Sequence, residues 1–373
     1  MPAIPNSGAI SLSDFATEFG GTAPHSMSEY YRNGANVPSN NSNVPTAGAF
    51  RFGQMRGAIN EIAIAATSGA NVDLSSLFGA NWTSTVPKRL TIGSGVTIGG
   101  TGSSAAIIIP SNMAGTLEID NAGSVLGFGG AANGGAGGNA ISNSASGVTI
   151  NNTGLLAGGG GGGGLAGNGG TGGNGSYTTT STVTDSPSFH QDNHYWEARN
   201  ANDKIIWQGT QIYNNYLADN ASTNYRKRVT VGGYTYNRGN ITRQSDDNWS
   251  KLDVSRSYTT SSTTSTSGGS GGTGGNGGSG QGYNQSNTSG ASGSGGSSGG
   301  TNAGAGGSGG TGGSGGTYGS SGATGANGNS GSNGNVSGGS SGSGGSSGGA
   351  AGAAVTGTSV SMNNTGTLYG AVA

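Results

Sequence analysis

The chain contains no cysteine, which excludes disulfides, thiolate metal sites and thiol nucleophiles together. Charge is almost as scarce. Only 8% of residues are Asp, Glu, Lys or Arg and the formal net charge is −1, so neither nucleic-acid binding nor electrostatic attachment to a membrane surface is expected. Apolar runs such as Ala105–Ile109 are far too short to span a bilayer, so no membrane insertion is expected. The opening MPAIPNSGAISLSDF lacks the basic start and apolar core of a secretion signal, and the reading is a soluble chain made in a cytoplasm and not exported by the general route. Proline is absent after Pro187, and that absence matters for what replaces it.

What replaces it is glycine: 84 residues of 373, many in period-three runs such as 268–280 and 306–317. A left-handed extended helix has three residues per turn and no internal hydrogen bonds, so its amides and carbonyls point toward neighbours. Two glycines in three let such helices approach closely and bond laterally. Collagen needs proline and one glycine in three, so it is excluded here. An unordered Gly/Ser linker shares the composition, and dense lateral bonding alone could offset glycine's ordering entropy. The expectation is a polyglycine II bundle with arms at 157–175, 268–280, 306–317 and 337–349.

Residues 1–57 carry an internal repeat, IPNSGAISLSDF (4–15) against VPTAGAFRFGQM (44–55). Ser11 with Asp14 and Ser26 with Glu29 give capping signals for short helices over 12–19 and 27–32. This small helical module has few apolar side chains, too few for a core of its own, and is expected to dock on a partner. Residues 58–156 read as short strands, with alternation at Leu90/Ile92 and Val96/Ile98, then Ile107–Ile109 and Leu117/Ile119.

An eleven-residue pattern of apolar-x-apolar-(Asp/Asn)-Asn-x-Gly-x-apolar-x-Gly occurs at 117–127, 148–158 and 360–370. It reads as a strand–turn–strand unit, and the third copy should return beside the first two on one β layer. The domains are then 1–57, a β platform at 58–156, a glycine bundle at 157–175 and 268–358, an insertion at 176–267, and a return segment at 359–373. The fold class is mainly β.

The insertion is charged and aromatic. Between Asp185 and Arg256 lie 8 of the 15 acids and 9 of the 14 bases, and 176–267 holds three of the four tryptophans. Val229–Tyr236 alternates around Gly232-Gly233, a hairpin signal. Asp192 with Glu197, or Asp246 with Asp247, are the acid pairs a hydrolase would use, but they alternate with bases as on any solvated surface. His190 and His194 have the spacing of two metal ligands on a helix, in a segment with no helical pattern. No catalytic residue, metal or cofactor is therefore assigned. Trp196, Trp207, Trp249, Tyr213, Tyr216 and Tyr225 are candidate binding anchors, joined by Tyr318, which stands in a Gly/Ser loop without a core. With alternating arm directions, Tyr318 should lie with the insertion and Tyr283 at the other end.

The segments SGAISLSDFATEFGG, DLSSLFGANWTSTVPKRLTIGSGVTIGG and the glycine arms resemble receptor-binding tail-fibre adhesins of tailed bacteriophages. The resemblance implies a virion tail protein, assembled in a cell and released by lysis. It implies attachment to other tail or fibre proteins through 1–57, a bacterial outer-surface receptor of protein or polysaccharide, and a homotrimer as one assembly state. It implies no enzyme. A polysaccharide depolymerase tailspike and a purely structural tail component are the alternatives.

Overall fold

The computed structural model describes residues 4–39, 41–186, 188–192, 195–199, 205–209, 228–231, 234–243 and 250–373, with backbone alone between 188 and 254. The chain forms two compact units, Met1–Gly175 with Thr266–Ala373, and Ser176–Ser265.

In the first unit, α1 (Leu12–Phe19) starts at Ser11, whose amide donates to Asp14 Oδ2 at 2.6 Å. Forty residues on, the 3-10 turn Phe52–Met55 starts in the same way, with the Arg51 amide donating to Gln54 Oε1 at 2.7 Å. The repeat therefore encodes two equivalent capped turns. Its matched apolar positions are buried together: Ile4 and Val44, then Phe15 and Met55, around Phe19, Tyr30 and Val37. This corrects the expectation that 1–57 lacks a core, because aromatic rings supply the volume that aliphatic residues do not; Phe15 packs edge-on against Tyr30 and close to Phe52. The second helix is a single 3-10 turn, Met27–Tyr30, its Ser26 amide held by Glu29 Oε1.

The strands that follow wind into a solenoid with three parallel faces. One face stacks β1 (Ile62–Ala65), β4 (Lys88–Ile92), β7 (Leu117–Asn121), β10 (Val148–Asn152) and β20 (Ser361–Asn364). The second stacks β2 (Gly69–Ala70), β5 (Thr97–Gly99), β8 (Ser124–Leu126), β11 (Leu155–Ala157) and β21 (Thr367–Tyr369); the third, β3 (Val72–Asp73), β6 (Ile107–Ile109), β9 (Ile141–Asn143) and β19 (Val355–Gly357). The three pattern copies are adjacent and in register, Ile150 lying opposite both Ile119 and Met362. They do not form one layer. Each Asn-x-Gly turns a corner into the next face, so the repeat is a solenoid coil rather than a strand returning antiparallel.

The corner asparagines explain the pattern. Asn121 Nδ2 donates to Asn152 Oδ1 and Asn152 Nδ2 to Asn364 Oδ1, both at 2.7 Å, and Asn121 and Asn152 are buried. A buried amide must be fully bonded, and a stack of identical amides meets that need coil after coil. Leu90, Ile98, Ile107, Ile119, Val125, Ile141, Ile150 and Val355 fill the interior. At the N-terminal end α2 (Leu74–Phe78) and Trp82 close the core, and the buried Lys88 ammonium donates to the carbonyls of Ser84, Val86 and Ala114. Burial pushes the Lys88 pKa down.

The chain leaves the solenoid after β11 and re-enters at Val355, inside the range expected to be glycine bundle. Between them run six extended arms without helix or strand assignment: 158–174, 267–281, 287–299, 303–317, 320–334 and 337–353. They are cross-bonded every third residue. Arm 1 donates to arm 2 (Gly163 to Gly278, 2.7 Å) and arm 5 (Gly164 to Ala323, 2.8 Å), while arm 4 (Gly313, 2.9 Å) and arm 6 (Gly349, 2.7 Å) donate to it. A short hairpin, 127–138, completes the ring, Gly130 donating to Gly160 and Gly162 to Gly135.

Glycine density follows the number of packed sides. Over 158–164 arm 1 is enclosed on every side and is glycine at every position; a Cβ at Gly162, Gly163 or Gly164 would overlap the backbone of the hairpin, arm 4 or arm 6 in turn. Past the hairpin tip, one position in three opens and Leu165, Asn168, Thr171 and Asn174 appear. Arms 3 and 5 lie at the rim and require only one glycine in three, Gly290, Gly293 and Gly296 against arm 4, and Gly322, Gly325 and Gly328 against arm 1. That is why a search for two glycines in three finds four arms where the fold has six.

Candidate functional site

Six arms instead of four reverse the direction of the arm at 303–317, and with it the place of Tyr318. Tyr318 lies at the solenoid end, stacked on Tyr369 of β21 at 6.5 Å between centroids, its hydroxyl donating to the Gly282 carbonyl at 3.2 Å. Burial pushes its phenol pKa up. It is therefore a joint between bundle and solenoid, at the bundle end opposite Asn174 and Ser267, which corrects the expected end for this residue. Tyr283 is at the same end, its ring lying over Gly99 of β5.

The opposite end of the bundle carries two tight turns and the two chain ends that lead to the insertion. Gly300 donates to Ser267, Asn335 to Asn302 and Val336 to Asn174, at 3.0–3.1 Å. Thr266 Oγ1 donates to the Thr301 carbonyl at 2.7 Å. Val336 is 61% exposed, more than any other large hydrophobic residue described. Turns of two or three residues offer little surface of their own.

The second unit is an antiparallel sheet. Its strands are β12 (Gly175–Asp185), β13 (Ser188–Asp192), β14 (Tyr195–Arg199), β15 (Ile205–Gly209), β16 (Arg228–Val231), β17 (Tyr234–Arg243) and β18 (Ser250–Thr266), in the order β15-β14-β13-β18-β17-β16, with β12 on β18. β16 and β17 pair with Val229 opposite Tyr236. Trp196 sits on β14 in register with Gly209 and Gln191, and Trp207 on β15 in register with Ala198. Trp249, Tyr213, Tyr216 and Tyr225 lie outside the described residues, as do His194, Asp246 and Asp247. His190 is on a strand, paired with Glu197, while Asp192 pairs with Tyr195, so the helical ligand spacing does not apply.

β12 and the second half of β18 form a two-stranded ribbon. Thr178 bonds Thr263, Ser181 bonds Thr260 and Thr184 bonds Ser257, at 2.9–3.2 Å. Arg256 closes it, its Nε 3.4 Å from Asp185 Oδ2 and its guanidinium 4.6 Å from the Tyr258 centroid. Cross-strand hydroxyl pairs of this kind compensate for the missing third strand.

The remaining charge cluster lies on the first solenoid face. Arg89 binds Glu61, Glu118 and Asp120, and Asn151 Nδ2 donates to Glu118 and Asp120. The hydrogen bond to Glu61 leads the effects that raise the Arg89 pKa. Every member is paired, as in a structural network. Among the described residues no group of three or more His, Asp or Glu side chains is placed to hold a metal ion, and no helix is long and apolar enough to cross a membrane.

These features define a class: a glycine-rich scaffold built on a β-solenoid, with one charged and aromatic insertion. Residues 59–240 match the family model described as phage tail fibre adhesin Gp38. Over these residues, just under half of the chain, the protein is similar to phage tail-fibre adhesins. No curated protein matches it. Among solved structures it is similar to the gp37-gp38 adhesin tip complex of the long tail fibre of bacteriophage S16, with 16% identity, a TM-score of 0.36 and full coverage of both chains.

Proposed function

We propose that the chain is a phage tail-fibre adhesin of the virion tail that acts in host attachment, that the insertion 176–267 is its receptor-binding element, and that the arms form a polyglycine II bundle. One observation carries the reading. The chain departs for the insertion at the bundle end opposite the solenoid, where the other described residues of this unit form two turns too short to make a binding surface. At roughly 3.1 Å per residue, arm 1 alone is about 50 Å long. The candidate contacts are Trp196, Trp207, Trp249, Tyr213, Tyr216 and Tyr225, because rigid aromatic side chains dominate binding energy at such surfaces. Their partner is an outer-surface protein or polysaccharide of the host, and the role is binding rather than catalysis.

Residues 1–57 serve attachment to other tail or fibre proteins. Their support is a core separate from that of the solenoid, and a cleft of about 310 Å³ between the 33–39 loop and Ile62, Asn81, Ser84 and Val86. The test of the receptor reading is a pull-down of host envelope fractions by the full chain and by its Trp196→Ala and Trp207→Ala variants. An aromatic hot spot contributes about 2 kcal/mol, so roughly thirtyfold weaker capture is expected from at least one variant with unchanged thermal stability. Full capture by both, and by a variant lacking the insertion, would refute the assignment.

A further inference from the structure

The ring around arm 1 is complete only beside the hairpin 127–138. Beyond its tip at residues 132–134, no described residue takes the hairpin's place as acceptor for the backbone amides of arms 1 and 2 on this side. On arm 1, the first amides of the row donate to hairpin carbonyls, Gly159 to Gly138 and Gly162 to Gly135. The next four donate to serine hydroxyls of arm 6: Leu165 to Ser346, Asn168 to Ser343, Thr171 to Ser340 and Asn174 to Ser337, at 2.7–2.8 Å. Arm 2 repeats the change. Gly280 donates to the hairpin carbonyl of Gly130, whereas Gly277, Gly274 and Gly268 donate to the side-chain oxygens of Asn133, Asn168 and Asn174. The Gly271 amide, opposite Thr171, has no partner among the described residues.

The same donors thus bond a backbone where one is present and a side chain where none is. We infer that the Ser337-Ser340-Ser343-Ser346 row, with Asn168 and Asn174, is a set of caps that closes this edge of the bundle against the glycine arms of a second copy of the chain. The hairpin shows what an uncapped edge accepts: two further extended strands, in register with arms 1 and 2. Unpaired backbone edges invite pairing with another chain unless the edge is blocked. Here the block must recur every three residues, because the helix has three residues per turn, and serine and asparagine recur at that interval. The Asn168 and Asn174 side chains reach arm 2 across this edge, Thr171 Oγ1 bonds Ser340 Oγ, and Leu165 is exposed.

The inference rests on the lateral bonding of the arms and not on receptor binding, and its readouts are mass and amide exchange. In the full chain, Ser343→Ala removes one cap; exchange at the Asn168 amide should quicken by about tenfold or more, as for a donor released to solvent, while Ser343→Thr restores it. Replacing Leu165, Asn168, Thr171, Asn174 and the four serines by glycine opens the whole edge. That variant should self-associate with concentration in light scattering while the natural chain stays at its own mass. An eightfold variant that folds and stays at the natural mass overturns the inference. If it does not fold, the single variant decides, and an Asn168 amide that exchanges in Ser343→Ala as in the natural chain also overturns it.

Discussion

Adding one methyl group to Gly163 should be far more damaging than adding it to Gly295, although both residues lie in glycine-rich arms of similar composition. A Cβ on Gly163 would overlap the carbonyl group of Gly313, so arms 1 and 4 must separate. Three bonds meet at that contact: Gly163 to Gly278 at 2.7 Å, Gly278 to Gly313 at 2.8 Å and Gly313 to Gly164 at 2.9 Å. At a net ~1 kcal/mol each, their loss amounts to roughly 3 kcal/mol. The alanine also restricts the unfolded chain, which returns about 0.4–1 kcal/mol, leaving a destabilisation of about 2–3 kcal/mol. The unit that holds Gly163 is larger than the 150–250 residues at which 1 kcal/mol shifts the midpoint by roughly 2–4 °C, so the unfolding midpoint of Gly163→Ala should fall by about 3–6 °C. Gly295 has no positive φ and nothing within 4 Å of a Cβ, so Gly295→Ala should be neutral or slightly stabilising. Calorimetry of both variants gives the comparison. Equal midpoints would refute the principle that glycine in these arms is set by packed sides.

Three further outcomes follow from other parts of the fold. Asn152→Leu should cost about 2 kcal/mol or more, seen in denaturant unfolding, because it leaves the buried Asn121 amide with only its longer bond to the Leu155 carbonyl and strips Asn364 of its donor; an unchanged midpoint would show that the ladder is dispensable. Tyr318 has a raised pKa from burial, so its folded state favours the neutral phenol; the stability it confers is complete below the unfolded value near 10 and declines as pH rises through the folded value. Tyr318→Phe should abolish that alkaline component, and an identical alkaline profile in both proteins would contradict the burial. Tyr318→Ala should loosen the joint to Tyr369 without altering host adsorption, since it lies at the solenoid end; impaired adsorption at full stability would return Tyr318 to the binding surface.

The parts legible in the sequence were those in which one residue type has one physical reason to recur. The Asn-x-Gly pattern located three coils because each corner needs the same buried amide, yet local alternation could not say that the strands turn a corner rather than reverse. Two glycines in three located arms 2 and 4, which pack on several sides. Arms 3 and 5 were hidden because a rim arm needs glycine only where it touches, so Ser289–Ser298 reads as ordinary polar loop. That omission carried Tyr318 to the wrong end, since the end at which a link falls depends on counting every arm. The core of residues 1–57 was underestimated because aromatic side chains from both repeat copies converge only in three dimensions. The glycines of 337–349 were read as an arm, but its serine row had no meaning until its donors were known.

Adsorption by phage particles whose adhesin joins Gly175 directly to Thr266 tests the central claim most directly. The two residues lie in the same unit at the same bundle end, with Gly268 held to Asn174, so the scaffold can close without the insertion. The account predicts intact particles, an unfolding midpoint close to that of the natural chain, and adsorption to host cells reduced to background. Adsorption at the natural rate by particles with a folded, insertion-free adhesin would place the receptor contact on the scaffold and contradict the account.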